Sequence, residues 1–523
     1  MTQLTLRQSQ HPESRITYQA FLCVFFFTLY VFTMGGHGYG GVGTTTYDVT
    51  RSIVLERDVA IAQVPWGKFG PDGGFYAQYG IGHSIYNLPF YLAGHGLTKL
   101  FPRLTSQYDR ITMLSTLLGQ PCIAALTVLL LWKFCRKVGY TPQTARWCAI
   151  LYGLGTQAWM YAQLDFSEPL LTFCLLASYY WIYGMTALPA QQALKRLALA
   201  GACLGAAVTV KIVAVIVLPL LLVYLWTLPS SSTRWRMMRT GFWGLVVFLT
   251  GLVPVGWYNV IRFGTPFETG YGNEFNLNWG HVTHQFWTNL VGLEGSIFLY
   301  SPVILLACWG SMRFLKRATA FALLTFGCIA LFFIFYPFST NELYYGPRYL
   351  TPTLPLFLLI AGAGFPAEIR PLGNQARRHF LTWLIGILLA AGIFQQIVGV
   401  VVNYHTYYWR IQYTMPLVDA AIHASPEGQA LVNTPQLPHL AGHLWLIAQG
   451  IRDFYTPGGM PLNGISLLAD STRHNAWIPY YGLDLWWCHP ALARMVGWPT
   501  LLAIASILIA VIGLSLYAML KER

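Results

Sequence analysis

Charged residues are scarce in this chain of 523 residues, of which only 10% are Asp, Glu, Lys or Arg. Soluble domains carry about 25%. The chain also has a mean hydropathy of +0.48, and its apolar runs approach the length of about 20 residues that crosses a bilayer. These features exclude an ordinary soluble protein. They predict an all-α polytopic membrane protein, because backbone groups in lipid must form their hydrogen bonds within the segment.

Three further absences narrow the function. No Gly-rich nucleotide-binding loop and no internal repeat is recognisable in the sequence. Seven of the nine cysteines lie within apolar runs, so no disulfide framework is predicted. The net charge of +13 falls mainly in the loops between apolar runs, where it marks cytoplasmic loops rather than a nucleic-acid-binding surface.

The apolar runs predict about twelve transmembrane helices with both termini in the cytoplasm. The predicted spans are 17–35, 109–134, 144–162, 168–186, 196–211, 213–228, 240–260, 297–313, 319–337, 349–364, 380–402 and 497–519. A break at Val210–Lys211 divides the long run 196–228 into two spans. Residues 83–101 would add a span and reverse every later loop, so they are expected to form a re-entrant or interfacial helix on the outer side.

The longest loops, 36–108, 261–296 and 403–496, then face the outer side, where we expect the chemistry. The chain divides into a transmembrane core with the first outer loop (1–402), an outer-face loop subdomain (403–496), and a final helix with a cytoplasmic tail (497–523). Within the subdomain, residues 438–451 predict a helix that lies on the bundle or at the interface.

The first outer loop opens with YDVTRSIVLERDVAI, whose spacing predicts a short amphipathic helix beside the membrane. A threonine of 44–46 is expected to cap it, which would put Asp48 in the first turn. Asp48 then either complements the helix dipole or takes part in chemistry. Arg51 is expected to pair with Asp48 or Glu56.

The same loop continues with GKFGPDGGFYAQYGIGHS, in which six glycines within sixteen residues indicate tight turns and close backbone approach. Asp72 lies in a Pro-Asp-Gly turn signal. Lys68 either binds a phosphate or extends to the lipid headgroups. Other side chains that could contact a substrate are Tyr76, Gln78, Tyr79 and His83.

Acidic residues also stand at the start of the fourth predicted span, in DFSEPLL. Asp165 or Ser167 can cap this helix and Pro169 suits its first turn. This local role is sufficient to explain the motif, although Asp165 or Glu168 could also point into a cavity.

Two later motifs return to the outer side. YNVIRFGTPFETGYGNEF puts Arg262 at the membrane boundary, beside a lipid phosphate or headgroup, and adds Glu274. NELYYGPRYLTPTLP puts Arg348 at the start of a span, where an ionisable residue is a candidate anion binder. Tyr345 beside it belongs either to the interfacial aromatic belt or to the substrate site.

The order of these motifs resembles that of a known superfamily. YAQYGIGHSIYNLPFYLAG, FSEPLL, YNVIRFGTPFETGYG, FLYSPVILL and YYGPRYLTPTLPLFLL are similar to segments of bacterial membrane glycosyltransferases of the C-type fold. That superfamily includes protein O-mannosyltransferases and lipid A aminoarabinose transferases. The resemblance runs through most of residues 17–364 and does not extend to 403–496.

The resemblance implies a multi-pass protein of the bacterial inner membrane whose active site faces the periplasm or the exterior. It implies an inverting transfer of sugar from a polyprenyl-phosphate donor to an acceptor hydroxyl on a lipid, glycan or protein. Membrane lipids are further expected partners and nucleic acid is not. The sequence indicates no cofactor and leaves a divalent metal open.

The resemblance also implies roles for individual residues. The acid of the first outer loop, matched here by Asp48, serves as general base and takes the proton of the acceptor hydroxyl. Glu56 is the candidate for a second acid. The leaving lipid phosphate needs cations, for which the outer-side candidates are Lys68, Lys211, Arg262 and Arg348.

Two other classes of protein remain open from the residues alone. Twelve spans with both termini inside also suit a transporter, although the large outer loops and the absence of repeats count against one. A glycan polymerase or ligase would depend on Arg and His. Its candidates in the last outer loop are His405, Arg410, His439 and His443.

Overall fold

A computed structural model describes residues 12–521 except for gaps at 65, 231, 272–278, 294, 336–344, 370–374, 404–438, 456–483 and 489. Glu274, His405 and Arg410 lie outside the described residues, as does most of the 403–496 subdomain. The division of the chain into domains therefore stays a prediction.

The described chain is almost entirely helical. Its α-helices, numbered in chain order, are α1 (Pro12–Thr33), α2 (Gly41–Leu55), α3 (Ile81–Leu100), α4 (Tyr108–Leu117), α5 (Gly119–Val138), α6 (Pro142–Gly155), α7 (Ala158–Tyr161), α8 (Glu168–Ile182), α9 (Ala190–Val210), α10 (Leu218–Thr227), α11 (Thr233–Val247), α12 (Val253–Phe263), α13 (Trp279–Val291), α14 (Ile297–Tyr300), α15 (Leu306–Arg317), α16 (Thr319–Phe335), α17 (Leu354–Gly362), α18 (Gln375–Val401), α19 (His439–Tyr455), α20 (Pro490–Val496) and α21 (Trp498–Lys521). A 3₁₀ turn, Arg348–Thr353, leads into α17.

An antiparallel hairpin is the sheet structure of the described residues. Its strands are β1 (Gly67–Phe69) and β2 (Phe75–Ala77), and Lys68 lies opposite Tyr76. The turn between the strands contains the Pro-Asp-Gly signal. The Gly74 backbone N–H donates to the Asp72 carboxylate at 3.0 Å, which confirms the turn predicted there.

The helices confirm an all-α polytopic membrane fold. Among the described residues, six stretches are long and apolar enough to cross a membrane: Pro102–Val138, Glu168–Ala187, Ala190–Val210, Thr233–Phe263, Arg378–Val401 and Trp498–Lys521. Three apolar helices are shorter: Thr17–Thr33, Ile212–Thr227 and Thr319–Ile334. Helical structure lies at every predicted span, but the total of about twelve stays a prediction.

Two local predictions also hold, and a third is confirmed only as a helix. Helix α9 ends at Val210, and Lys211 is extended, so the long run breaks where expected. Helix α3 covers the segment predicted as re-entrant or interfacial and packs against α2, α4 and α9, but its position relative to the membrane stays a prediction. Helix α19 contains most of the helix predicted at 438–451 and packs against α18.

The start of α2 differs from the prediction. The helix begins at Gly41, after Gly40 and without a side-chain cap, so Asp48 is its eighth residue and not in its first turn. The three threonines lie inside the helix instead of at its cap position: Thr45 Oγ1 donates to the Gly41 oxygen at 2.6 Å and Thr46 Oγ1 to the Gly43 oxygen at 3.0 Å, while Thr44 Oγ1 accepts from the Gly40 N–H at 3.1 Å. Asp48 is therefore too far along the helix to complement its N-terminal dipole.

A single large apolar core holds the bundle together. Helix α5 packs against α1, α6 and α8, and α8 packs along α9 and against the 3₁₀ turn at Arg348. Helix α8 begins where α9 ends. The first residue of α8, the residue after α9 and the first residue of the 3₁₀ turn consequently meet at one end of the bundle.

Candidate functional site

A buried group of three charged residues, the charged trio, lies where these helix ends meet. Glu168, the first residue of α8, accepts a hydrogen bond through Oε1 from Lys211 Nζ at 2.5 Å, and the same oxygen forms an ion pair with Arg348, 3.2 Å from its Nε atom. The side chains of Glu168, Lys211 and Arg348 are 0%, 10% and 3% exposed. Both cations were predicted from the sequence as phosphate ligands, whereas Glu168 was predicted either as part of a helix-start motif or as a side chain that points into a cavity.

The charged trio has a net formal charge of +1, because two cations share one carboxylate. Tyr349 packs against both cations. Its ring centroid lies 4.3 Å from Lys211 Nζ and 4.6 Å from the Arg348 guanidinium, and its hydroxyl accepts from Arg348 Nη2 at 2.6 Å. Burial of charge is costly unless the charges are compensated. A surplus of positive charge at this depth makes the charged trio a candidate anion-binding site.

The glycine-rich segment lies directly beside the charged trio. Gly80 and Gly82, at the start of α3, contact the last residues of α9 so closely that a Cβ atom at Gly80 would lie 2.3 Å from the Thr209 carbonyl oxygen. The two glycines thus allow α3 to approach the chain next to Lys211. This contact accounts for part of the glycine content of the first loop.

His83 follows these glycines and is fully buried. Burial lowers its pKa to about 4, so the imidazole is neutral near pH 7. The Gln120 side-chain amide donates to His83 Nε2 at 2.8 Å, and Nδ1 lies 3.2 Å from the Thr46 hydroxyl. This pattern requires the hydrogen on Nδ1. His83 joins α2, α3 and α5 and contributes no charge to the site.

A second buried carboxyl, Asp165, precedes α8 by three residues. Its Oδ2 atom accepts from the Tyr39 backbone N–H at 3.2 Å, and Oδ1 has no hydrogen-bond partner among the described residues. Burial raises the pKa of Asp165 to about 7, although the Tyr39 N–H and the charge of His37 oppose the shift. The Asp165 carboxyl therefore changes between its neutral and ionised forms near neutral pH.

Gly43 of α2 provides the space for this carboxyl. A Cβ atom at position 43 would lie 1.8 Å from the Asp165 carboxyl carbon. A small cavity opens beside the contact, lined by Gly43, Tyr47, Asn87, Met113, Thr116, Leu117, Gln120 and Asp165. The buried oxygens of the Asn87 and Gln120 amides, two of the lining residues, have no hydrogen-bond partner among the described residues.

Asp48 is half-buried and lies on another face of α2. Thr46 and Thr50 contact α3, through His83 and the Ser84 carbonyl oxygen. Each lies two residues from Asp48, which is a rotation of about 200° around the helix. Asp48 therefore faces away from α3. Glu56 stands at the exposed C-terminal end of α2, 3.5 Å from Arg51.

Arg262 holds the first-loop hairpin in place. Its guanidinium donates to the backbone carbonyls of Ala77 and Tyr79 and to Asn259 Oδ1, the last at 2.6 Å. These bonds fasten the end of β2 to α12. Arg262, predicted as a phosphate ligand, thus contacts backbone carbonyls instead of the charged trio.

The remaining predicted ligands of the first loop take part in its packing. Lys68 is half exposed and lies 3.4 Å from Glu268. The Tyr76 hydroxyl donates to Asp72 at 2.5 Å, and the Gln78 backbone N–H donates to the Trp66 carbonyl at 3.2 Å.

Two predicted tyrosines lie further along. The Tyr79 ring packs edge-on against Tyr271, with centroids 6.4 Å apart. Tyr345 is buried, and its hydroxyl donates to the Gln395 carbonyl at 2.7 Å, which joins it to α18. Of the predicted ligands, Lys211 and Arg348 lie together in the charged trio, and His83 lies beside them at the start of α3. No group of three or more His, Cys, Asp or Glu residues that could hold a metal occurs within the described ranges.

Comparisons with known proteins agree with this fold. Residues 77–267 match the family model described as dolichyl-phosphate-mannose-protein mannosyltransferase. That range contains Asp165, Glu168 and Lys211. No curated protein sequence matches the chain.

Two solved structures have the same fold. ArnT from Cupriavidus metallidurans in the apo state aligns with a TM-score of 0.51 and 16% identity, over 82% of this chain and 74% of that one. ArnT has also been solved bound to undecaprenyl phosphate. The apo oligosaccharyltransferase from Archaeoglobus fulgidus aligns with a TM-score of 0.50 and 12% identity, over 80% of this chain and 60% of that one.

These likenesses confirm the C-type fold of membrane glycosyltransferases that the order of motifs predicted. The sequence predicted a membrane glycosyltransferase that uses a lipid-linked donor. The matching family model describes an enzyme of that class.

Proposed function

We propose that this protein transfers a sugar from a polyprenyl-phosphate donor to an acceptor hydroxyl, with inversion at the anomeric carbon, at the outer face of the bacterial inner membrane. The observation that carries the proposal is the buried charged trio with Asp165 three residues before Glu168. The match to a family whose description contains a lipid-phosphate mannose supports this choice of donor.

The charged trio is the proposed binding site for the donor phosphate. During transfer the bond between the anomeric carbon and the phosphate oxygen breaks, and the leaving lipid phosphate gains one negative charge. Lys211 and Arg348 stabilise that charge through charge-assisted hydrogen bonds. Glu168 positions both cations. Exclusion of water from the site strengthens each of these interactions.

The acceptor hydroxyl attacks the anomeric carbon on the face opposite the phosphate, and its proton passes to a carboxylate as the new bond forms. The resemblance makes Asp48 the candidate base. The geometry favours Asp165, which is buried, adjoins the charged trio along the chain, and lines a small cavity. Its pKa of about 7 also suits a base that works at neutral pH.

The test is transfer of radiolabelled sugar from a panel of undecaprenyl-phosphate sugars, including mannose, in membranes that contain the protein. Loss of the base should lower the rate by about 10²–10⁴-fold. Asp48→Asn and Asp165→Asn are compared with Asp58→Asn, an exposed acid of the same loop. The control should keep the wild-type rate. Full activity in both test variants would refute the carboxylate mechanism.

The same preparation tests the alternatives. Uptake of free sugar by sealed vesicles without transfer would favour a carrier. Loss of activity in His443→Gln with full activity in both Asp variants would favour a polymerase or ligase. Against that alternative, His443 is buried against α18, with its ring 4.7 Å from that of Tyr345.

A further inference from the structure

A second buried network lies beside Asp165 and joins two distant parts of the chain. His37 Nε2 lies 2.7 Å from Asp484 Oδ1, and the Tyr39 hydroxyl donates to Asp484 Oδ2 at 2.9 Å. The side chains of His37 and Asp484 are almost completely buried. His37 and Tyr39 follow α1, whereas Asp484 begins a short segment that ends at Cys488.

The segment 484–488 is fixed to the ends of two helices. Its backbone and indole groups donate to carbonyls of the last residues of α1 and the residue after it: Trp486 N to Met34 at 2.9 Å, Trp486 Nε1 to Val31 at 2.8 Å and Trp487 Nε1 to Phe32 at 3.0 Å. The Asp484 N–H donates to the Val401 carbonyl, at the end of α18. Asp484 therefore occupies a defined position.

Tyr39 links the network to the proposed active site. Its hydroxyl contacts Asp484, while its backbone N–H donates to Asp165 Oδ2 at 3.2 Å. Gly35 makes room for this arrangement, since a Cβ atom there would lie 2.2 Å from the Tyr39 hydroxyl oxygen and 2.7 Å from Asp484 Oδ1. The two ends of one residue thus contact two buried carboxyls.

Both ring nitrogens of His37 face hydrogen-bond acceptors, which favours the positively charged form of the ring. Burial alone would lower its pKa, but the charge and hydrogen bond of Asp484 reverse the effect, and Asp165 adds to it, so the pKa of His37 is raised. With both ring nitrogens protonated, Nε2–H donates to Asp484 and Nδ1–H donates to the Gly38 carbonyl at 3.0 Å. The Asn403 amide nitrogen lies 3.4 Å from Nε2, and the Tyr39 ring packs against the imidazole with ring centroids 4.4 Å apart.

We propose that His37 and Asp484 are positioning residues of the transfer reaction: their ion pair fixes Tyr39, whose backbone N–H holds Asp165 in the site, and the imidazolium favours the ionised form of Asp165. This proposal rests on the proposed function, in which Asp165 serves as the base. It gives the segment 484–488 an indirect role in the reaction, through Tyr39 of the first outer loop.

The test compares His37→Gln and Asp484→Asn with Trp487→Phe in the transfer assay across pH 5–9. The wild-type rate should rise with pH as Asp165 ionises. His37→Gln removes the charge that favours ionisation, and Asp484→Asn lowers the protonated fraction of His37. Both variants should move the rising part of the pH–rate profile to higher pH. At a pH below that rise, a shift of one pH unit lowers the rate about tenfold. KM for the donor should stay unchanged.

Trp487→Phe is the matched control, because it removes a bond that fixes the same segment but touches neither carboxyl. It should lower the unfolding temperature without moving the rising part of the pH–rate profile. If Asp165→Asn is inactive but the pH–rate profiles of His37→Gln and Asp484→Asn rise at the same pH as the wild type, this inference alone is overturned. An active Asp165→Asn would overturn the role of Asp165 and this inference with it.

Asp484→Asn keeps the shape of the side chain and carries the test if His37→Gln does not fold. Tyr39→Phe provides a third variant, since it removes the hydroxyl bond to Asp484 and keeps the N–H bond to Asp165. It should lower the rate less than the other two variants. A rate in Tyr39→Phe as low as in Asp165→Asn would contradict the proposed division of roles.

Discussion

Replacement of Glu168 by Gln should remove the negative charge that compensates the two cations of the proposed phosphate site. The carboxylate contacts Lys211 at 2.5 Å and Arg348 at 3.2 Å, and no more than a tenth of any of the three side chains is exposed. The variant leaves two buried cations without compensation. Removal of one partner from a buried pair costs about 3–5 kcal/mol, a large part of a typical total stability of about 5–15 kcal/mol.

A lipid phosphate should restore much of that loss, because its charge can replace the missing carboxylate. The assay is thermal unfolding of the purified protein in detergent, with and without undecaprenyl phosphate. We expect a lower apparent midpoint for Glu168→Gln than for the wild type, and a larger upward shift on addition of the lipid. Undecaprenol, which has the same chain and no phosphate, should not reproduce the shift.

Glu268→Gln is the control, since Glu268 forms a half-exposed pair with Lys68, and ion pairs in contact with solvent contribute little to stability. Its midpoint and lipid response should match the wild type. A Glu168→Gln variant as stable as the wild type would refute the argument that the carboxylate compensates buried charge. Equal lipid shifts in both proteins would show that the phosphate binds elsewhere.

Three further predictions concern the surroundings of the site. Gly43→Ala should push Asp165 out of place and lower transfer about 100-fold, whereas Gly241→Ala, where a Cβ meets nothing within 4 Å, should not. Arg262→Gln leaves buried carbonyls without donors, each at a cost of about 1–3 kcal/mol, so amide hydrogen exchange in the hairpin should accelerate relative to Lys68→Gln. Ionisation of Asp165 should raise the rate as the pH passes about 7. Because this folded-state pKa lies above the value of about 3.9 for an unfolded aspartate, the free energy of unfolding should fall as the pH rises from about 4 to about 7 and stay level above it. Asp165→Asn should lose both effects.

The sequence predicted the bundle well because lipid leaves few choices for the backbone. Apolar runs near 20 residues must be helical, and the break before Lys211 followed from the excess length of one run. Lys211 and Arg348 were recognisable as charges at the ends of spans. Each could be read from its own segment, without knowledge of its partner.

The partners could not be predicted, since they are distant in sequence. Glu168 has a sufficient local role as an acid at the start of a helix, and only the fold shows that it joins residues 43 and 180 positions further along the chain. His37 and Asp484 are 447 residues apart. The predicted start of α2 was wrong for a different reason. Threonines favour helix caps, but inside a helix they also donate to carbonyls of the preceding turn.

Binding of undecaprenyl phosphate to the purified protein tests the phosphate site most directly. Lys211→Gln removes one of the two buried cations, and a charge-assisted hydrogen bond contributes about 1.5–3 kcal/mol, or roughly a 10- to 150-fold change in affinity. We expect Kd to rise by that factor in Lys211→Gln and to stay at the wild-type value in Lys68→Gln, whose side chain is exposed. Equal affinities in the wild type and Lys211→Gln, or a loss confined to Lys68→Gln, would contradict the assignment of the charged trio as the phosphate site.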